Sequence, residues 1–264
     1  MDKLKIIDAH AHIFPEKIRE KAVNAIGEFY DIPMESIGSV DDILSYSKIG
    51  IEKFCVLSVA TFPRQVKHIN DFLYAQITEH PEFLGFATLH PDLEGIEDEI
   101  ERVISLGFTG IKLHADFQRF AIDSDKAQYM YKVIDGRLPI LFHMGDYRYS
   151  YTNPEKLLKL TKLFPNQIFI GAHFGGYSEW DAAEEYLIGK TGIYIDTSSS
   201  LFKLSPERAS KLIYKHGTDK VLFGTDYPMW NPEEELGRFM KVQIKDGDRE
   251  DILYNNAAKL YHVM

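Results

Sequence analysis

Histidines recur in this 264-residue chain at the ends of short apolar segments, where their side chains could converge on one site. Six of the ten histidines stand in such places: His10, His12, His90, His114, His143 and His173. One carboxylate, that of Asp226, follows the apolar segment VLFGT in the same way. Neutral imidazoles and a carboxylate suit zinc and leave room for a water ligand, whose pKa the ion lowers to about 7. The pattern therefore indicates chemistry that a divalent metal ion assists.

The pair His10 and His12 is weak evidence on its own, because a chain with this many histidines contains such a pair by chance in roughly one case in two or three. On a strand, however, residues two positions apart face the same side, so both imidazoles could reach one ion. A single histidine such as His90 or His114 is about as often structural as functional. The convergence of the whole set on one edge of a sheet carries the prediction.

Alternation along the segments assigns the polar side chains to one face. In ILFHMG, Ile140 and Phe142 face away from His143. In IFIGAHF, His173 is expected to share its face with Phe169. The same reasoning gives an inward direction to three more polar residues, Lys112, His114 and Asp226. The apolar residues of the opposite face suit packing against an outer layer of helices.

The elements that must position these side chains are strands that alternate with amphipathic segments. Strands are predicted near residues 4–10, 54–60, 84–90, 108–114, 138–143, 167–173, 192–197 and 220–225. Helix starts are indicated at Asn153-Pro154-Glu155, Ser205-Pro206-Glu207 and Asn231-Pro232-Glu233, each with an N-cap residue, a proline and an acid. No linker-like stretch divides the chain, so a single domain over 1–264 is predicted. The segment at about 14–40 is longer than an ordinary connection and is expected to form a cap over the first strand.

Eight strand–helix units could form a closed (β/α)8 TIM barrel or an open doubly wound sheet. The polar residues favour the barrel, because His10 and His12 end the first strand and Asp226 ends the eighth. A closed barrel places the first and last strands side by side, whereas an open sheet usually separates them. A glycine-rich phosphate-binding turn, common in the open fold, is not evident in the sequence. The α/β fold class predicted is therefore the TIM barrel.

Several motifs together resemble the amidohydrolase superfamily, and in particular the amidohydrolase-related branch that includes aminocarboxymuconate-semialdehyde decarboxylase and resorcylate decarboxylases. They are DAHAH at 8–12, LFHMG at 141–145, GAHFGG at 171–176, YIDTSS at 194–199, FGTDYP at 223–228 and NNAAKLY at 255–261. The resemblance spans the whole chain. It implies that one zinc ion is bound by His10, His12, His143 and Asp226. It also implies that His173 is the catalytic acid or base beside the metal-bound water, with Asp226 counted as catalytic too.

The role of Lys112 stays open between several alternatives. The resemblance to one-metal enzymes implies a substrate-binding cation or a general acid, whereas in two-metal relatives a carboxylated lysine at this place bridges a second ion. A plain solvated lysine is a further alternative. His114 and Arg148 are also predicted to bind substrate, and Arg64 and Arg119 could do so from neighbouring loops.

Hydrolysis of a small-molecule amide, imide or lactone by metal-activated water is the activity expected from the sequence. The alternative is non-oxidative decarboxylation of an aromatic or unsaturated carboxylic acid at the same site. A catalytically inactive barrel is disfavoured, because the complete set of candidate ligands and the candidate base are present.

The charge and cysteine content narrow the expected partners and location. A formal net charge of −10 argues against nucleic acid or an anionic membrane as a partner. No signal peptide or apolar span stands out. The single cysteine, Cys55, excludes an internal disulfide, so a cytoplasmic protein that acts on a small molecule is expected. The resemblance suggests a homodimer.

Overall fold

The computed structural model describes residues 4–263 and forms a single eight-stranded sheet in which neighbouring strands are parallel and follow one another in sequence order. The strands are β1 (Ile6–His12), β2 (Ile51–Leu57), β3 (Phe83–Thr88), β4 (Gly110–Leu113), β5 (Ile140–Phe142), β6 (Phe169–Gly171), β7 (Ile193–Asp196) and β8 (Val221–Leu222). Each overlaps one of the strands predicted from the sequence. The strands from β4 onward are shorter than predicted at both ends.

The barrel is closed by hydrogen bonds between β1 and the segment that contains and follows β8. The Ala9 amide donates to the Phe223 carbonyl at 2.8 Å, and the His12 amide donates to the Tyr227 carbonyl. Ala11 also pairs with Tyr227 as a parallel bridge. The first and last strands are therefore adjacent, which confirms the predicted (β/α)8 barrel.

The helices surround the strands on the outside. They are α1 (Glu16–Tyr30), α2 (Val40–Ser45), α3 (Val66–Glu79), α4 (Ile96–Ser105), α5 (Ala115–Gln118), α6 (Asp125–Ile134), α7 (Pro154–Leu163), α8 (Trp180–Tyr186), α9 (Pro206–His216), α10 (Pro232–Met240), α11 (Asp246–Glu250) and α12 (Asn256–Leu260). Helices α7, α9 and α10 begin at the prolines predicted to start them. Ser205 and Asn231 accept the capping hydrogen bonds of α9 and α10, whereas Asn153 makes none at α7. Among the described residues, no helix is long and apolar enough to cross a membrane.

The apolar core lies in two layers separated by the strands. The outer layer packs alternate strand residues, such as Ile140 and Phe142, against the helices. The inner layer fills the barrel below the polar residues and includes Leu141, Ile170 and Leu222, with Ala257 and Tyr261 packed against it. The polar side chains that follow the strands are thereby held above an apolar filling, at the carboxyl end of the barrel.

The cap segment at 14–40 contains α1, which lies beside the carboxyl ends of the strands. The helix ends at Tyr30, because Asp31 adopts a left-handed conformation with φ 53° and its amide donates back to the Gly27 carbonyl. Side chains from the inner surface of α1 line the main cavity of the barrel. The cap therefore supplies one wall of the candidate site.

Candidate active site and metal centre

A cavity of about 270 Å³ lies at the carboxyl ends of the strands, beneath α1. Its floor is polar and consists of His10, His12, Lys112, His114, His143, His173 and Asp226. Its apolar walls include Phe14, Ile26, Phe29, Met34, Phe117 and Met229. Active sites in this fold lie at this end of the barrel. The cavity thus brings together seven residues that the sequence predicted to bind metal, to catalyse or to bind substrate, Lys112 among them.

The candidate metal ligands from the first and last strands lie within coordinating distance of one another. His10 Nε2 and His12 Nε2 each lie 3.5 Å from Asp226 Oδ1. Two ligand atoms of a tetrahedral zinc site are about 3.4 Å apart, since each lies about 2.1 Å from the ion. The donor set of these three residues therefore fits a divalent ion without rearrangement of the strands.

Two further imidazoles join this group from neighbouring strands. His173 Nε2 lies 2.9 Å from His143 Nδ1, and ligand atoms of His173, His10 and Asp226 all lie within 4.8 Å of one another. His143 adjoins this group through His173, while its ligand atoms also lie within 4.8 Å of those of His114 and Asp116. All four predicted ligands and the predicted acid or base line one cavity, and which of them bind an ion stays a prediction.

The imidazoles of the centre are held in the neutral state that metal binding requires. Burial lowers the pKa of His10 to about 4. Burial, together with the neighbouring His114 and His173, holds the pKa of His143 well below its usual range. Burial also lowers the pKa of His173, although the nearby carboxylates oppose it. These nitrogens therefore offer lone pairs at neutral pH.

Asp196, at the end of β7, fixes the orientation of the centre and was not singled out in the sequence. Its Oδ2 lies 2.8 Å from His10 Nδ1, and its Oδ1 accepts hydrogen bonds from the amides of His173 and Ser198 at 3.0 and 3.1 Å. A carboxylate on the far nitrogen of a metal-binding histidine sets its tautomer and direction. The motif YIDTSS could have pointed to Asp196, because this aspartate lies near the end of a predicted strand, as the other candidate site residues do.

His173 reaches the cavity by a turn of the backbone, which corrects the predicted alternation. Ile170 packs inside the barrel and Phe169 packs against the outer helices, the reverse of the expected arrangement. His173 and Phe174 instead have φ angles of 61° and 53°, in the left-handed region. Because the strand has already ended at Gly171, period-two alternation does not apply to His173, and the turn redirects its side chain inward.

Lys112 is a buried cation at the floor of the cavity. Its Nζ lies 3.1 Å from His10 Nε2, and the side chain is almost wholly inaccessible to water. Burial lowers its pKa to about 8, while Asp226 and Asp196 act in the opposite direction. Lys112 thus lies close enough to the centre for each of the functional roles left open by the sequence.

His114 lies beside the candidate metal centre but is not one of the residues whose ligand atoms group with those of His10 and Asp226. Its ring stacks on that of His143, with centroids 4.0 Å apart, and on that of Phe117 at 3.8 Å. The Tyr30 hydroxyl lies 2.8 Å from His114 Nε2 and 3.3 Å from His143 Nε2. The sequence analysis did not identify Tyr30. It predicted the cap only from the length of the segment, which does not show which side chains of the cap face the barrel.

The structure places the predicted substrate-binding residue Arg148 outside the cavity lining. Its guanidinium bonds both carboxylate oxygens of Asp146 and donates to the Phe29 carbonyl at 2.6 Å. Arg64 and Arg119 are exposed. Among residues 4–263, no arginine lines the cavity, and Lys112 is its single lysine. A substrate role for Arg148 stays a prediction, whereas its contacts in this structure anchor the cap.

The comparisons with known proteins agree with this fold. The amidohydrolase family model matches residues 7–263, so the chain belongs to that family, whose members are metal-dependent enzymes. No curated protein sequence matches the chain.

Three solved structures illustrate the likeness. One is a dihydroxybenzoic acid decarboxylase from Polaromonas sp. JS666 with bound manganese and the inhibitor 2-nitroresorcinol: 18% identity, TM-score 0.76, 98% of this chain and 97% of that one. Another is 5-carboxyvanillate decarboxylase from Sphingomonas paucimobilis, with 16% identity and a TM-score of 0.75; the alignment covers 99% of this chain and 100% of that one. The third is a probable 2-pyrone-4,6-dicarboxylic acid hydrolase from Acinetobacter baumannii with citric acid bound, with 16% identity and a TM-score of 0.71. The alignment covers 98% of this chain and 100% of that one. At such identities the likeness establishes the fold alone.

Proposed function

We propose that this protein is a metal-dependent, non-oxidative decarboxylase of a small aromatic or unsaturated carboxylic acid. This reverses the order of the two activities considered from the sequence, in which hydrolysis came first. The observation that carries the proposal is the division of the cavity into an apolar, partly aromatic wall and a polar floor that holds Lys112 and the candidate metal ligands. Such a cavity suits a planar apolar ring with one carboxylate directed at the floor.

The charges of the lining support a substrate with a single carboxylate. Apart from imidazoles held neutral by burial, Lys112 is the one basic side chain of the described lining. Lys112 and the proposed metal ion both lie at the floor, so the second carboxylate of a dicarboxylate would face the apolar walls unpaired, which is costly. The proposal thus fits the dihydroxybenzoic acid named for one decarboxylase of this fold better than the dicarboxylic acid named for the hydrolase.

The chemistry requires one proton and the loss of one carbon–carbon bond. A divalent ion held by His10, His12, His143 and Asp226, proposed to be zinc, would neutralise the substrate oxygens and orient the carboxylate. His173, once solvent has protonated it in the complex with an anionic substrate, delivers that proton to the carbon that bears the carboxylate. The bond between this carbon and the carboxylate then breaks, its electron pair returns to the unsaturated system, and carbon dioxide leaves. Solvent restores the proton to His173, and the apolar walls exclude other water from the reacting carbon.

Hydrolysis of an uncharged lactone, imide or amide is the second candidate. The observation in its favour is that His173 lies beside the candidate metal centre, where it could accept a proton from an attacking water. The lack of an arginine among the described lining residues restricts this alternative to substrates without several charges.

One experiment separates the two activities. Zinc- and manganese-loaded protein is incubated with a panel of hydroxybenzoic acids, unsaturated acids, lactones and cyclic amides in D₂O and, separately, in ¹⁸O-labelled water. Decarboxylation releases carbon dioxide and leaves deuterium on the vacated carbon. Solvent ¹⁸O in the product, without carbon dioxide, would establish hydrolysis and overturn the proposal. His173→Ala serves as the control for background chemistry.

Assembly and location stay predictions. A homodimer, a cytoplasmic location and the absence of nucleic-acid or membrane partners follow from the sequence reasoning alone. Sedimentation of the metal-loaded protein tests the first of these directly.

A further inference from the structure

The hydroxyl group of Tyr30 enters the cavity from the cap and lies between two imidazoles of the barrel, 2.8 Å from His114 Nε2 and 3.3 Å from His143 Nε2. We propose that Tyr30 is a substrate-binding residue, whose hydroxyl donates a hydrogen bond to a carboxylate oxygen of the substrate. The inference rests on the proposed function, since it concerns the same cavity and the same class of acid. It assigns a direct role in recognition to the cap.

The arrangement of protons leaves the Tyr30 hydroxyl free to donate. The Phe117 amide donates to His114 Nδ1 at 3.4 Å, a contact about as long as that of Tyr30 with His143, and this direction favours the lone pair on Nδ1 and the proton on Nε2. His114 Nε2–H then donates to the Tyr30 oxygen. The proton of Tyr30 is consequently directed away from His114, towards His143 or towards a ligand in the cavity.

The Tyr30 hydroxyl could exchange its contact with His143 for one with a substrate carboxylate with little change in structure. The contact of the Tyr30 hydroxyl with His143 is 3.3 Å long, beyond the usual range for a hydrogen bond from a hydroxyl. A phenol hydroxyl, with an ordinary pKa of about 10, is protonated at neutral pH and can donate. A carboxylate oxygen is a stronger acceptor than a distant imidazole nitrogen. Rotation about the C–O bond alone would move the proton from one acceptor to the other.

The cap holds the Tyr30 ring in place for this contact. The ring packs edge-on against Tyr177, with centroids 5.2 Å apart. One residue earlier, the Phe29 carbonyl accepts a hydrogen bond from Arg148, whose guanidinium also lies over the Phe29 ring at 4.3 Å. A donor fixed in this way loses little freedom when a ligand binds, which favours a specific contact over a chance one.

The ligand chemistry that fits is an oxygen acceptor on a planar apolar body. The floor offers Lys112 as a cation, the cap offers the Tyr30 hydroxyl, and the walls between them are apolar. Benzoate is the simplest molecule with these properties. It is therefore the probe of choice, and benzyl alcohol is the matched uncharged probe.

The test compares benzoate binding by zinc-loaded wild-type protein and Tyr30→Phe in isothermal calorimetry. Tyr149→Phe is the control, because Tyr149 stacks on Phe29 from outside the cavity lining. Loss of a hydrogen bond to a charged oxygen should weaken benzoate binding about tenfold or more in Tyr30→Phe. Binding of benzyl alcohol should change by less, and Tyr149→Phe should bind benzoate as wild type does.

Zinc affinity is measured in parallel, because Tyr30 also contacts His143. Equal benzoate affinity of wild type and Tyr30→Phe overturns the inference and leaves the proposed function intact. Weaker zinc binding in Tyr30→Phe, with unchanged benzoate affinity at zinc saturation, also overturns it and would make Tyr30 a positioning residue for His143. No benzoate binding by wild type would overturn both the inference and the proposed substrate class, so the two failures are distinguishable.

Discussion

The Nδ1 atom of His10 lies 2.8 Å from Oδ2 of Asp196, and both residues are buried. Because Nδ1 is engaged by the carboxylate, the other ring nitrogen is the one that faces Asp226 across the cavity. The same carboxylate accepts the His173 amide at 3.0 Å, so it aligns residues from two strands at once. Asp196 thereby connects the strand that carries the first candidate ligands to the turn that carries the candidate acid.

Asp196→Asn should weaken zinc binding about tenfold to a hundredfold, the usual effect of removing a carboxylate behind a metal-binding histidine. The amide keeps the shape of the side chain but no longer stabilises the required tautomer of His10. Competition with a chromogenic chelator measures the affinity. The matched control is Asp8→Asn, since Asp8 is also buried, on β1 itself, but accepts hydrogen bonds from Thr225 and the His10 amide and none from an imidazole. Equal zinc affinities of the two variants would contradict the role of Asp196.

Lys112→Met should leave the zinc content at about one ion per chain and weaken the binding of benzoate. The substitution removes a charge from the floor and nearly keeps the volume of the side chain, whose Nζ lies beside His10. Elemental analysis gives the stoichiometry, and calorimetry gives the binding. A wild type with two ions, one of which is lost in this variant, would instead indicate a carboxylated lysine bridge. Faster reconstitution in bicarbonate would support that alternative.

The sequence predicted the number and order of the strands because their apolar runs are separated by helix-start signals that act locally. Closure of the barrel was also predictable, since Asp226 had to meet His10 and His12. The strand ends were less accurate. At β6 the left-handed turn at His173 ends the alternation, and a φ angle of that kind in a residue other than glycine leaves little trace in the sequence.

The candidate ligands could be predicted because each ends a strand, and the fold brings those ends together. Tyr30 and Arg148 show what could not be predicted. Tyr30 is the last residue of α1, so its position depends on how the cap packs over the barrel. Arg148 follows a strand as a substrate-binding residue would, yet Asp146 and the Phe29 carbonyl engage its guanidinium. Contacts between the cap and the loops are tertiary and non-local, and composition does not encode them.

Arg148→Lys should loosen the cap, because a lysine cannot bond both Asp146 oxygens and the Phe29 carbonyl at once. Hydrogen exchange in α1 should become about tenfold faster, as expected for the loss of one charge-assisted hydrogen bond. Mass spectrometry of peptides covering 16–30 measures it. Arg137→Lys is the control, since Arg137 pairs with Glu101 and the Val133 carbonyl away from the cap. Unchanged exchange in α1 with weakened benzoate binding would instead favour the predicted substrate role.

His173→Ala should retain its zinc but lose about two to four orders of magnitude in turnover, the typical effect of removing a general acid or base. The remaining candidate ligands, His10, His12, His143 and Asp226, should still hold the ion. His143→Ala is the comparison and should lower zinc affinity instead. Both substitutions remove one imidazole, and the two rings are neighbours, with nitrogens 2.9 Å apart, so the volume lost is the same and its place is similar. Loss of zinc from His173→Ala would assign His173 as a ligand with His10 and Asp226.

His216 should make the fold less stable in mild acid, independently of the active site. It lies at the end of α9, where Nδ1 accepts the Gly189 amide and Nε2 donates to the Ile193 carbonyl. Burial lowers its pKa from 6.5 to about 4, with a smaller opposing effect from the Ile193 contact. The unfolded chain therefore binds more protons than the folded one between these two values. The stabilisation is fully present above pH 6.5 and is lost as the pH falls towards 4.

Between pH 7.5 and pH 5 this difference should cost the wild type about 2 kcal/mol in the free energy of unfolding. His216→Gln lacks the titrating group, so its free energy of unfolding should fall by about 2 kcal/mol less over the same range. Urea denaturation of both metal-free proteins at the two pH values measures the difference, in which contributions of the other titrating groups cancel. His68→Gln, an exposed histidine on α3, should follow the wild type. Parallel losses of stability in wild type and His216→Gln would show that His216 does not set this part of the pH dependence.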